Sequence, residues 1–510
     1  MLNARSKQTR SSARQQGYAA PLGRPGARLS QQPGVVATAA TRATNSASHH
    51  PLTDSEENAR LYRYESDIKT AFDAIVPTLK QVSAMQHQAD FETRAQQLAR
   101  EQLGYELPAE MLADAWIDQL DMRRLFAWCL FETYRRFCDE FFSDDPMGKS
   151  DVDFQRLLQE CGFHTLDISP CADGRLAHVI RYVLRLPYRA VRRKSYAGAL
   201  FDIEDSLEKW VETELLRFRE GRPNTADEPT RYLKTVVYHY SSVDPQHEGC
   251  AAHGSDTRRA ASAGLERLQA FQQAVENTYC CGASIDRLLI GLDTDTDVIR
   301  IHIPDADGAI KLDKYIDTRE IYDATQPMAA SIAEEWIGDY VIGANPDMAD
   351  GMARFITYLV INNLSQIEYV RHHHGDHYPD IGHAERFIGA GIGFEEVQLR
   401  NLTYFAYLNT VEEAAPDLDV GIKIFSQLNI AHGLPVPVVV RYDYHGNVPG
   451  ARKRAEAHCR RVADALHTRY ADLTDQGLLH TLQAVRDVNA ASRIEILDSS
   501  VKAQAAQEAH

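Results

Sequence analysis

Three residue types capable of chemistry follow one predicted strand at two-residue intervals: Cys171, Asp173 and Arg175. The preceding residues, 164–169, form a β-like run that Pro170 ends, because proline cannot donate a ladder hydrogen bond. If the segment stays extended, side-chain alternation places all three on one side. They would then lie past the carboxyl end of a strand, where open α/β sheets bind ligands. The pattern predicts a reactive site; the alternative is an Arg–Asp pair that braces a loop beside an inert cysteine.

A second predicted strand ends at His239 and leads into a loop that carries His247 and Cys250. With Cys171, these residues offer two thiolates and an imidazole from two strand ends. That set suits a tetrahedral Zn²⁺ ion with three protein ligands and an open fourth position for water. The residues leave the histidine open. His247 is three positions from Cys250, a common ligand spacing, whereas His239 sits directly at the strand end.

Length and composition limit the kinds of protein that can hold this site. A chain of 510 residues predicts several domains, and 44% hydrophobic with 25% charged residues is typical of a soluble protein with a sizeable core. No apolar run approaches the ~18–20 residues of a membrane span, which excludes an integral membrane protein. Eight cysteines are too few for a disulfide-stapled scaffold, so reduced thiols in a cytosol-like compartment are expected.

Residues 1–50 form a basic segment that contrasts with the rest of the chain. They contain no Asp or Glu and seven cationic residues: Arg5, Lys7, Arg10, Arg14, Arg24, Arg28 and Arg42. The rest holds 48 basic against 72 acidic residues, a net charge of −24, which argues against nucleic acid and anionic membranes as partners. The segment has too few apolar residues to offset its ordering entropy, so we predict that it is disordered. It could be a solvated linker, a binding arm or an organellar transit peptide.

Periodic patterns divide the remaining chain into three parts. Residues 51–148 are predicted to be an all-helical domain, which starts at a capping box in residues 53–56 and continues with apolar residues at helical spacing. In residues 149–395, short β-like runs alternate with helical ones, which predicts a catalytic α/β domain with a largely parallel sheet. The fold class is therefore α/β, and α+β over the whole chain.

The C-terminal part, residues 396–510, is predicted to be a degenerate duplicate of the α/β domain. Two pairs of short segments indicate this: residues 438–444 with 236–240, and residues 418–423 with 166–171. In the first pair, Asp443 stands at the position of His239. A copy that has lost a cysteine and a histidine would bind no metal and would be structural.

A histidine-rich motif offers a rival enzyme class. The pattern His-x-His-x-Asp-His of the dinuclear metallo-β-lactamase fold is matched by His372, His374, Asp376 and His377. That fold requires a strand before the motif and a helix after it. A metallo-β-lactamase-like hydrolase is therefore an alternative, and a solvated polar loop is the simpler interpretation.

Two further motifs are predicted to be structural. Asp293, Asp295 and Asp297 imitate the start of a calcium loop, but Val298 stands where an EF-hand needs glycine, so we predict a polar hairpin turn. The neighbouring cysteines 280 and 281 are predicted to be small core residues.

Five segments in one order carry a close resemblance to a known family: residues 163–176, 249–254, 280–305, 361–370 and 380–387. They resemble the carboxysomal shell carbonic anhydrases, a divergent branch of the β-class carbonic anhydrases. The likeness runs from about residue 50 to near the C-terminus, and the tail matches in character rather than in sequence.

The resemblance implies a helical domain, a zinc-bearing β-carbonic-anhydrase-like domain and a degenerate copy of it. It implies one Zn²⁺ per chain, with the ligands Cys171, His239 and Cys250. Asp173 and Arg175 match the family's catalytic dyad, and His383 matches a histidine near the substrate pocket.

The implied activity is that of a lyase, the reversible hydration of CO₂ to bicarbonate by zinc-bound hydroxide, which supplies CO₂ to Rubisco inside the carboxysome, a bacterial microcompartment. The implied partners are the shell or Rubisco, bound through the basic tail, and further copies of the chain in a dimer or a multiple of it. If the protein is not an enzyme, the alternative is a scaffold with a structural zinc, whose fourth protein ligand would be His247 or His253.

Overall fold

The structure, a computed structural model, describes residues 49–113, 119–143, 151–187, 190–225, 227–279, 284–406, 415–490 and 493–501. Of the segment predicted to be disordered, residues 1–50, residues 1–48 lie outside this described part, as do cysteines 280 and 281, whereas His50 is buried. Every helix of the described residues is too short or too polar to span a bilayer.

The N-terminal part of the chain is helical, as the apolar periodicity predicts. Asp54 caps the first helix by accepting hydrogen bonds from the backbone N–H groups of Glu56 and Glu57 (2.9 and 3.0 Å), so the cap lies one residue after the predicted Thr53. Ile68, which belongs to the predicted apolar face, is buried. The helices are α1 (Ser55–Ala84), α2 (Phe91–Gln102), α3 (Ala109–Ala113) and α4 (Met122–Ser143).

The central part contains a six-stranded sheet of order β2-β1-β3-β4-β5-β6. Its strands are β1 (Thr165–Pro170), β2 (Arg192–Arg193), β3 (Arg231–Tyr240), β4 (Ser284–Asp293), β5 (Ile299–Pro304) and β6 (Ile310–Asp317). The first four strands of that order are parallel, as predicted, whereas β5 and β6 pair antiparallel. The sheet is therefore mixed, because short turns after β4 and β5 fold the chain back into a meander.

Helices pack around this sheet and connect its strands. They are α5 (Asp151–Glu160), α6 (Ile203–Arg219), α7 (Thr257–Tyr279), α8 (Thr318–Thr325), α9 (Ala330–Ala344) and α10 (Asp350–His374). The strand β3 is buried along nearly its whole length, because helices cover a parallel sheet on both faces. This burial leaves the carboxyl ends of β1 and β3 as the place where polar residues can gather.

A second, five-stranded sheet has the order β11-β10-β9-β7-β8. Its strands are β7 (Phe387–Ile392), β8 (Thr403–Ala406), β9 (Val436–Tyr444), β10 (Leu479–Asp487) and β11 (Glu495–Ser499), and its helices are α11 (Ala415–Leu428), α12 (Ala451–Arg469) and α13 (Ala471–Asp475). Because β7 pairs with β8 and β9, the second sheet starts before the predicted boundary at residues 395 and 396.

The two sheets share one topology, which supports the predicted duplication. The order β8-β7-β9-β10-β11 repeats β2-β1-β3-β4-β5, with the same parallel or antiparallel direction in each pair. The match of residues 438–444 to 236–240 joins β9 to β3, which are counterparts. The match of residues 418–423 to 166–171 is wrong, because residues 418–423 belong to α11 and the counterpart of β1 is β7.

The N-terminal helices share a core with the second sheet. Phe387 of β7 packs against Phe72 of α1 and Tyr134 of α4, with ring centroids 6.1 and 5.3 Å apart. Burying such aromatic pairs stabilises the contact between the N-terminal helices and the second sheet by roughly 1.5–3 kcal/mol per side chain. The second sheet thus connects the helical part to the rest of the molecule.

Candidate metal centre and active site

Three buried side chains that can bind a metal come together at the carboxyl ends of β1 and β3. Cys171 directly follows β1 and its backbone N–H donates to the carbonyl oxygen of Val237 in β3 (3.2 Å). His239 is the last residue but one of β3, and Cys250 caps the short 3₁₀ turn Ala251–His253. The ligand atoms of Cys171, His239 and Cys250 all lie within 4.8 Å of one another.

The donor set of this cluster fits a zinc ion. Both ring nitrogens of the buried His239 lack a hydrogen-bond partner among the residues that the structure describes, an arrangement that burial penalises unless a ligand compensates. A hydrogen bond between the two sulfurs lowers the pKa of Cys250 and raises that of Cys171. Two sulfurs and one imidazole are ligands that zinc prefers.

The other two histidines near Cys250 stay outside the cluster. The side chain of His247 is 75% exposed and its Nδ1 lies 2.8 Å from Asp244. His253 is buried, but its Nε2 hydrogen-bonds the carbonyl oxygen of Gly198 (3.1 Å). Within the described ranges, the cluster therefore offers three protein ligands and no fourth.

Asp173 and Arg175 form a fixed ion pair beside the cluster. Arg175 donates from Nε to Oδ1 of Asp173 (3.0 Å) and from Nη2 to Oδ2 (2.8 Å). Its Nη1 donates to the carbonyl oxygens of Glu248 and Ile381 (2.6 and 3.0 Å). Because the guanidinium is held on both sides, the carboxylate has a defined orientation, with its Oδ2 3.6 Å from Nε2 of His239.

The charges around Asp173 keep its carboxylate ionised. Burial raises the pKa of Asp173, but the charges of Arg175 and His383 lower it well below its ordinary value. Burial lowers the pKa of His383, whereas Asp173 and Glu385 raise it to about 9. An ionised carboxylate only accepts hydrogen bonds, so Asp173 is a fixed acceptor that points towards the cluster.

Glu385, which the sequence reasoning did not single out, supports this arrangement. Its Oε1 accepts a hydrogen bond from the backbone N–H of Gly174 (3.1 Å) and lies 3.0 Å from Nδ1 of His383. A Cβ atom at position 174 would lie 2.4 Å from the Glu385 side chain, so that position accommodates only glycine. The interaction orients His383, whose Nε2 lies 3.9 Å from Oδ2 of Asp173. The one sequence signal for Glu385 is its place within residues 380–387, which carry the family resemblance.

The cluster lines a cavity of about 20 Å³, which is room for about one or two water-sized molecules. Asp173 and His383 lie in its wall together with the three candidate ligands. Tyr404 of β8 and Val420 and Ile424 of α11 also line the cavity. The second sheet and its helix thus contribute an apolar wall to a site whose reactive groups come from the first sheet, a contribution that no sequence pattern predicts.

Asp417 joins the two halves of the molecule next to this cavity. Its Oδ1 accepts a hydrogen bond from the backbone N–H of Ala197 (2.6 Å), which lies in the cavity wall. Its carbonyl oxygen accepts one from the hydroxyl of Tyr404 (2.8 Å). Burial raises the pKa of Asp417 to about 6, because the charged form is poorly solvated there.

The histidine-rich motif adopts a different structure from the one a metallo-β-lactamase requires. His372 and His374 end the helix α10, and Gly375 follows in a left-handed conformation (φ 70°). His374 packs on the ring of Tyr378, with centroids 4.6 Å apart. Since a helix rather than a strand precedes the motif, the hydrolase alternative is wrong for His372, His374, Asp376 and His377. The polar-loop interpretation holds only for residues 375–377, which form an exposed turn after the helix.

The three aspartates that imitate a calcium loop lie where β4 turns into β5, as predicted: Asp293 ends β4, and Asp295 and Asp297 lie in the turn. Their side chains are buried rather than solvated. Ser241 donates to Asp295, and His178 lies 2.8 Å from Asp297. These carboxylates therefore have hydrogen-bond partners within the protein.

Comparison with known proteins gives matches along the whole described body. Family models match residues 50–142 as "Carboxysome Shell Carbonic Anhydrase, N-terminal", residues 153–383 as the catalytic domain of that family and residues 384–501 as its C-terminal part.

Curated relatives named "Carboxysome shell carbonic anhydrase" cover most of the chain. A relative from Parasynechococcus marenigrum is 56% identical over 467 residues, 90% of this chain and 80% of the relative. One from Prochlorococcus marinus is 55% identical over 90% of this chain and 91% of the relative. One from Halothiobacillus neapolitanus is 47% identical over 88% of this chain and 90% of the relative.

Proposed function

Because the chain belongs to the carboxysome shell carbonic anhydrase family, and is thus a carbonic anhydrase of the carboxysome, we propose that it hydrates CO₂ with one zinc ion held by Cys171, His239 and Cys250. The observation that carries this proposal is the approach of these three ligand atoms within 4.8 Å in a buried site. The scaffold alternative is wrong, since the chain is an enzyme.

When bound, zinc would lower the pKa of its water towards about 7 and so supply the hydroxide that CO₂ hydration needs. Three protein ligands leave one of four tetrahedral positions for that water. Cys171 and Cys250 would bind as thiolates, and His239 as a neutral imidazole. Two thiolates offset the charge of the ion, so we expect activity to rise into mildly alkaline pH.

Asp173 would orient the attacking water. As a fixed, ionised acceptor 3.6 Å from His239 Nε2, it can accept but not donate a hydrogen bond. It would therefore engage the O–H of the attacking water or hydroxide, which leaves an oxygen lone pair free for CO₂. Arg175 would hold Asp173 charged and keep it from binding the metal itself, because both carboxylate oxygens are already engaged. His383, whose Nε2 lies 3.9 Å from Oδ2 of Asp173, would add positive charge beside this carboxylate.

The cavity would select the substrate by size and polarity. A volume of about 20 Å³ suits molecules of a few heavy atoms, such as CO₂ and water, and leaves no room for a bulky metabolite. The apolar side chains of Val420 and Ile424 suit an uncharged linear gas molecule, which makes few hydrogen bonds. The cavity thus supports a role of the degenerate copy in substrate binding.

A pair of matched histidine variants tests the assignment. We expect His239→Ala to lose tightly bound zinc and at least 10³-fold in kcat/KM, whereas His247→Ala, at an exposed residue, keeps both. Zinc content after dialysis and stopped-flow CO₂ hydration measure the two effects. Zinc loss in His247→Ala with none in His239→Ala would refute the ligand set.

We propose further that the enzyme supplies CO₂ to Rubisco and that residues 1–50 capture an acidic surface of Rubisco or of the shell lining. Seven cationic residues without a single acidic one support this role. Reversing those seven charges should release the enzyme from carboxysomes without changing CO₂ hydration by the purified protein. Unchanged encapsulation would defeat the proposal.

We also propose a homo-oligomer, a dimer or a multiple of it. The end of α6 supports this, because Leu215, Leu216 and Phe218 are 50–69% exposed there and such contiguous apolar residues are typical of interfaces. Phe218→Glu with Leu216→Glu should lower the mass measured by light scattering. An unchanged mass would place the interface elsewhere.

We keep the four-part layout as a proposal: a tail, a helical domain, a zinc-bearing catalytic domain and a C-terminal domain without metal. The pairing of β7 within the second sheet supports a boundary near residue 384 rather than 395. Catalytic and C-terminal parts expressed separately would test it, with zinc expected in the catalytic part alone.

A further inference from the structure

A second group of metal-binding side chains lies at the carboxyl-terminal end of α10. The ligand atoms of His49, Glu368 and His372 all lie within 4.8 Å of one another. Glu368 and His372 are four residues apart and so share one face of the helix, which His49 reaches from the segment before α1. We propose that these three residues bind a divalent transition-metal ion such as Zn²⁺, in addition to the ion of the active site.

Glu368 is oriented for such a role by contacts on one of its oxygens. Its side chain is 1% exposed. Oε2 accepts hydrogen bonds from the backbone N–H of His50 (2.7 Å) and from the hydroxyl of Tyr322 (3.3 Å). Oε1 is thereby directed at His49, whose Nδ1 lies 2.7 Å away. Outer contacts that fix a carboxylate in this way are typical of metal ligands.

The two histidines give the site its selectivity and its access to solvent. The rings of His49 and His372 are 4.7 Å apart, and both residues are exposed. An ion can therefore enter directly from solvent, and water can complete its coordination. Two imidazoles and one carboxylate are a ligand set of zinc sites, whereas Ca²⁺ and Mg²⁺ prefer oxygen alone.

Neighbouring charges favour a cation at this position. The free carbonyl groups at the end of α10 carry partial negative charge, which stabilises cations near the last turn. Arg371, the cationic residue next to His372, is directed instead to Asp323 and Asp376 (3.0 and 3.1 Å). A bound ion would connect His49, at the end of the basic segment, to α10.

His50 does not compete as a ligand, although it adjoins His49. Its Nε2 lies 2.9 Å from Oγ1 of Thr325, and its Nδ1 accepts a hydrogen bond from the backbone N–H of Leu52 (3.2 Å). Both nitrogens are thus engaged, so the site comprises His49, Glu368 and His372.

Equilibrium dialysis of the full chain against micromolar Zn²⁺ tests the site, with the bound metal counted by mass spectrometry. We expect wild type to bind one equivalent more than His372→Ala and one more than His49→Gln. The control His377→Ala, at an exposed residue beyond the end of α10 and outside the cluster, should bind as much as wild type. CO₂ hydration should be unchanged in all three variants, which separates this ion from the active-site zinc.

Two results would overturn the proposal. One is equal zinc binding by wild type, His372→Ala and His49→Gln. The other is a loss of the same equivalent in His377→Ala, which would assign the metal to the histidine-rich segment as a whole rather than to the three-residue site.

Discussion

The two sheets of this molecule share a topology and differ in what stands at their strand ends. Pro170 of β1 pairs with β3 two residues before His239, and Gly391 of β7 pairs with β9 two residues before Asp443. These registers align the two sheets residue by residue. In the order Cys171, Asp173, Arg175 and His239, the counterparts are Ile392, Phe394, Glu396 and Asp443.

The second strand end is a buried ion-pair joint instead of a metal centre. Arg441 donates to Asp443 and to Glu396, at 2.7 Å each. Tyr134 and Cys138 of α4 also donate to Glu396 (3.1 and 3.2 Å). Glu396, the counterpart of Arg175, thus fastens the helical domain to the second sheet.

The two copies also differ in the length of the loop that follows their central strand. Sixteen residues connect β3 to α7, and Cys250 lies among them, whereas six connect β9 to α12. The shorter loop has no place for a counterpart of Cys250. The fold therefore supplies a position at the strand ends, and the residues placed there determine whether it can serve as an active site or as a contact between domains.

The largest expected effect follows from replacing Cys171, one of the proposed zinc ligands, and its counterpart in the second sheet. Cys171→Ser should lose zinc and about 10³-fold or more of kcat/KM, because serine is a poor zinc ligand. The matched variant Ile392→Ser, at the counterpart position, should keep zinc and activity, since that side chain is 44% exposed. Stopped-flow kinetics and metal analysis measure both. Equal losses in the two variants would mean that the sheets do not differ as described.

The next largest effect is expected from changing the aspartate in one of two arginine–aspartate pairs that share the same geometry. Arg441 holds Asp443 through Nε and Nη2, as Arg175 holds Asp173. We expect Asp173→Asn to keep zinc and lose roughly 10²–10³-fold in kcat, because the neutral amide also donates and no longer orients water. Asp443→Asn should leave kcat unchanged. Full activity of Asp173→Asn would contradict the role assigned to that carboxylate.

A third variant tests the structural role of the second strand end. Arg441→Met leaves the buried Glu396 without its cation, whereas Asp443 keeps Arg486 at 3.7 Å, so we expect a loss of about 3–5 kcal/mol in the free energy of unfolding. The control Arg452→Met removes an exposed pair with Glu495 and should cost about 0–1 kcal/mol. Urea unfolding with zinc analysis measures both. Arg441→Met proteins as stable as the control would show that the joint is dispensable.

The smallest expected effect concerns Asp417, which joins the two sheets next to the cavity. Asp417 has a pKa of about 6, above its ordinary 3.8, so the folded state binds a proton more tightly than the unfolded state. Its contribution to stability is complete below pH 3.8 and is lost as pH rises through 6. Asp417→Asn should therefore raise the free energy of unfolding by about 1–2 kcal/mol near pH 8 and by less near pH 5. A larger gain at the lower pH would reverse the sign and reject the account.

Local patterns predicted the elements and the reactive strand of this protein. β-branched runs located β1, β3, β4 and β5, and apolar spacing located α1 and α4. The two-residue spacing of Cys171, Asp173 and Arg175 pointed to one site, because strand ends collect ligands in this fold class. The residue types predicted zinc as the metal, which stays a prediction, and the five segments predicted the family, which is confirmed.

Contacts between distant segments escaped prediction. Glu385 lies 211 positions from Gly174, with which it bonds, and Glu368 lies 319 from His49. Residues 418–423 resemble a strand in composition, yet their apolar spacing also fits a helix, which the topology selects. Short apolar runs are ambiguous in this way until their neighbours are known.

Zinc X-ray absorption of the full-length His372→Ala variant tests the central claim most directly, because only the active-site ion should remain bound. The account predicts two sulfur ligands, one imidazole nitrogen and one oxygen of water. A coordination sphere with four protein ligands, or without sulfur, would contradict it.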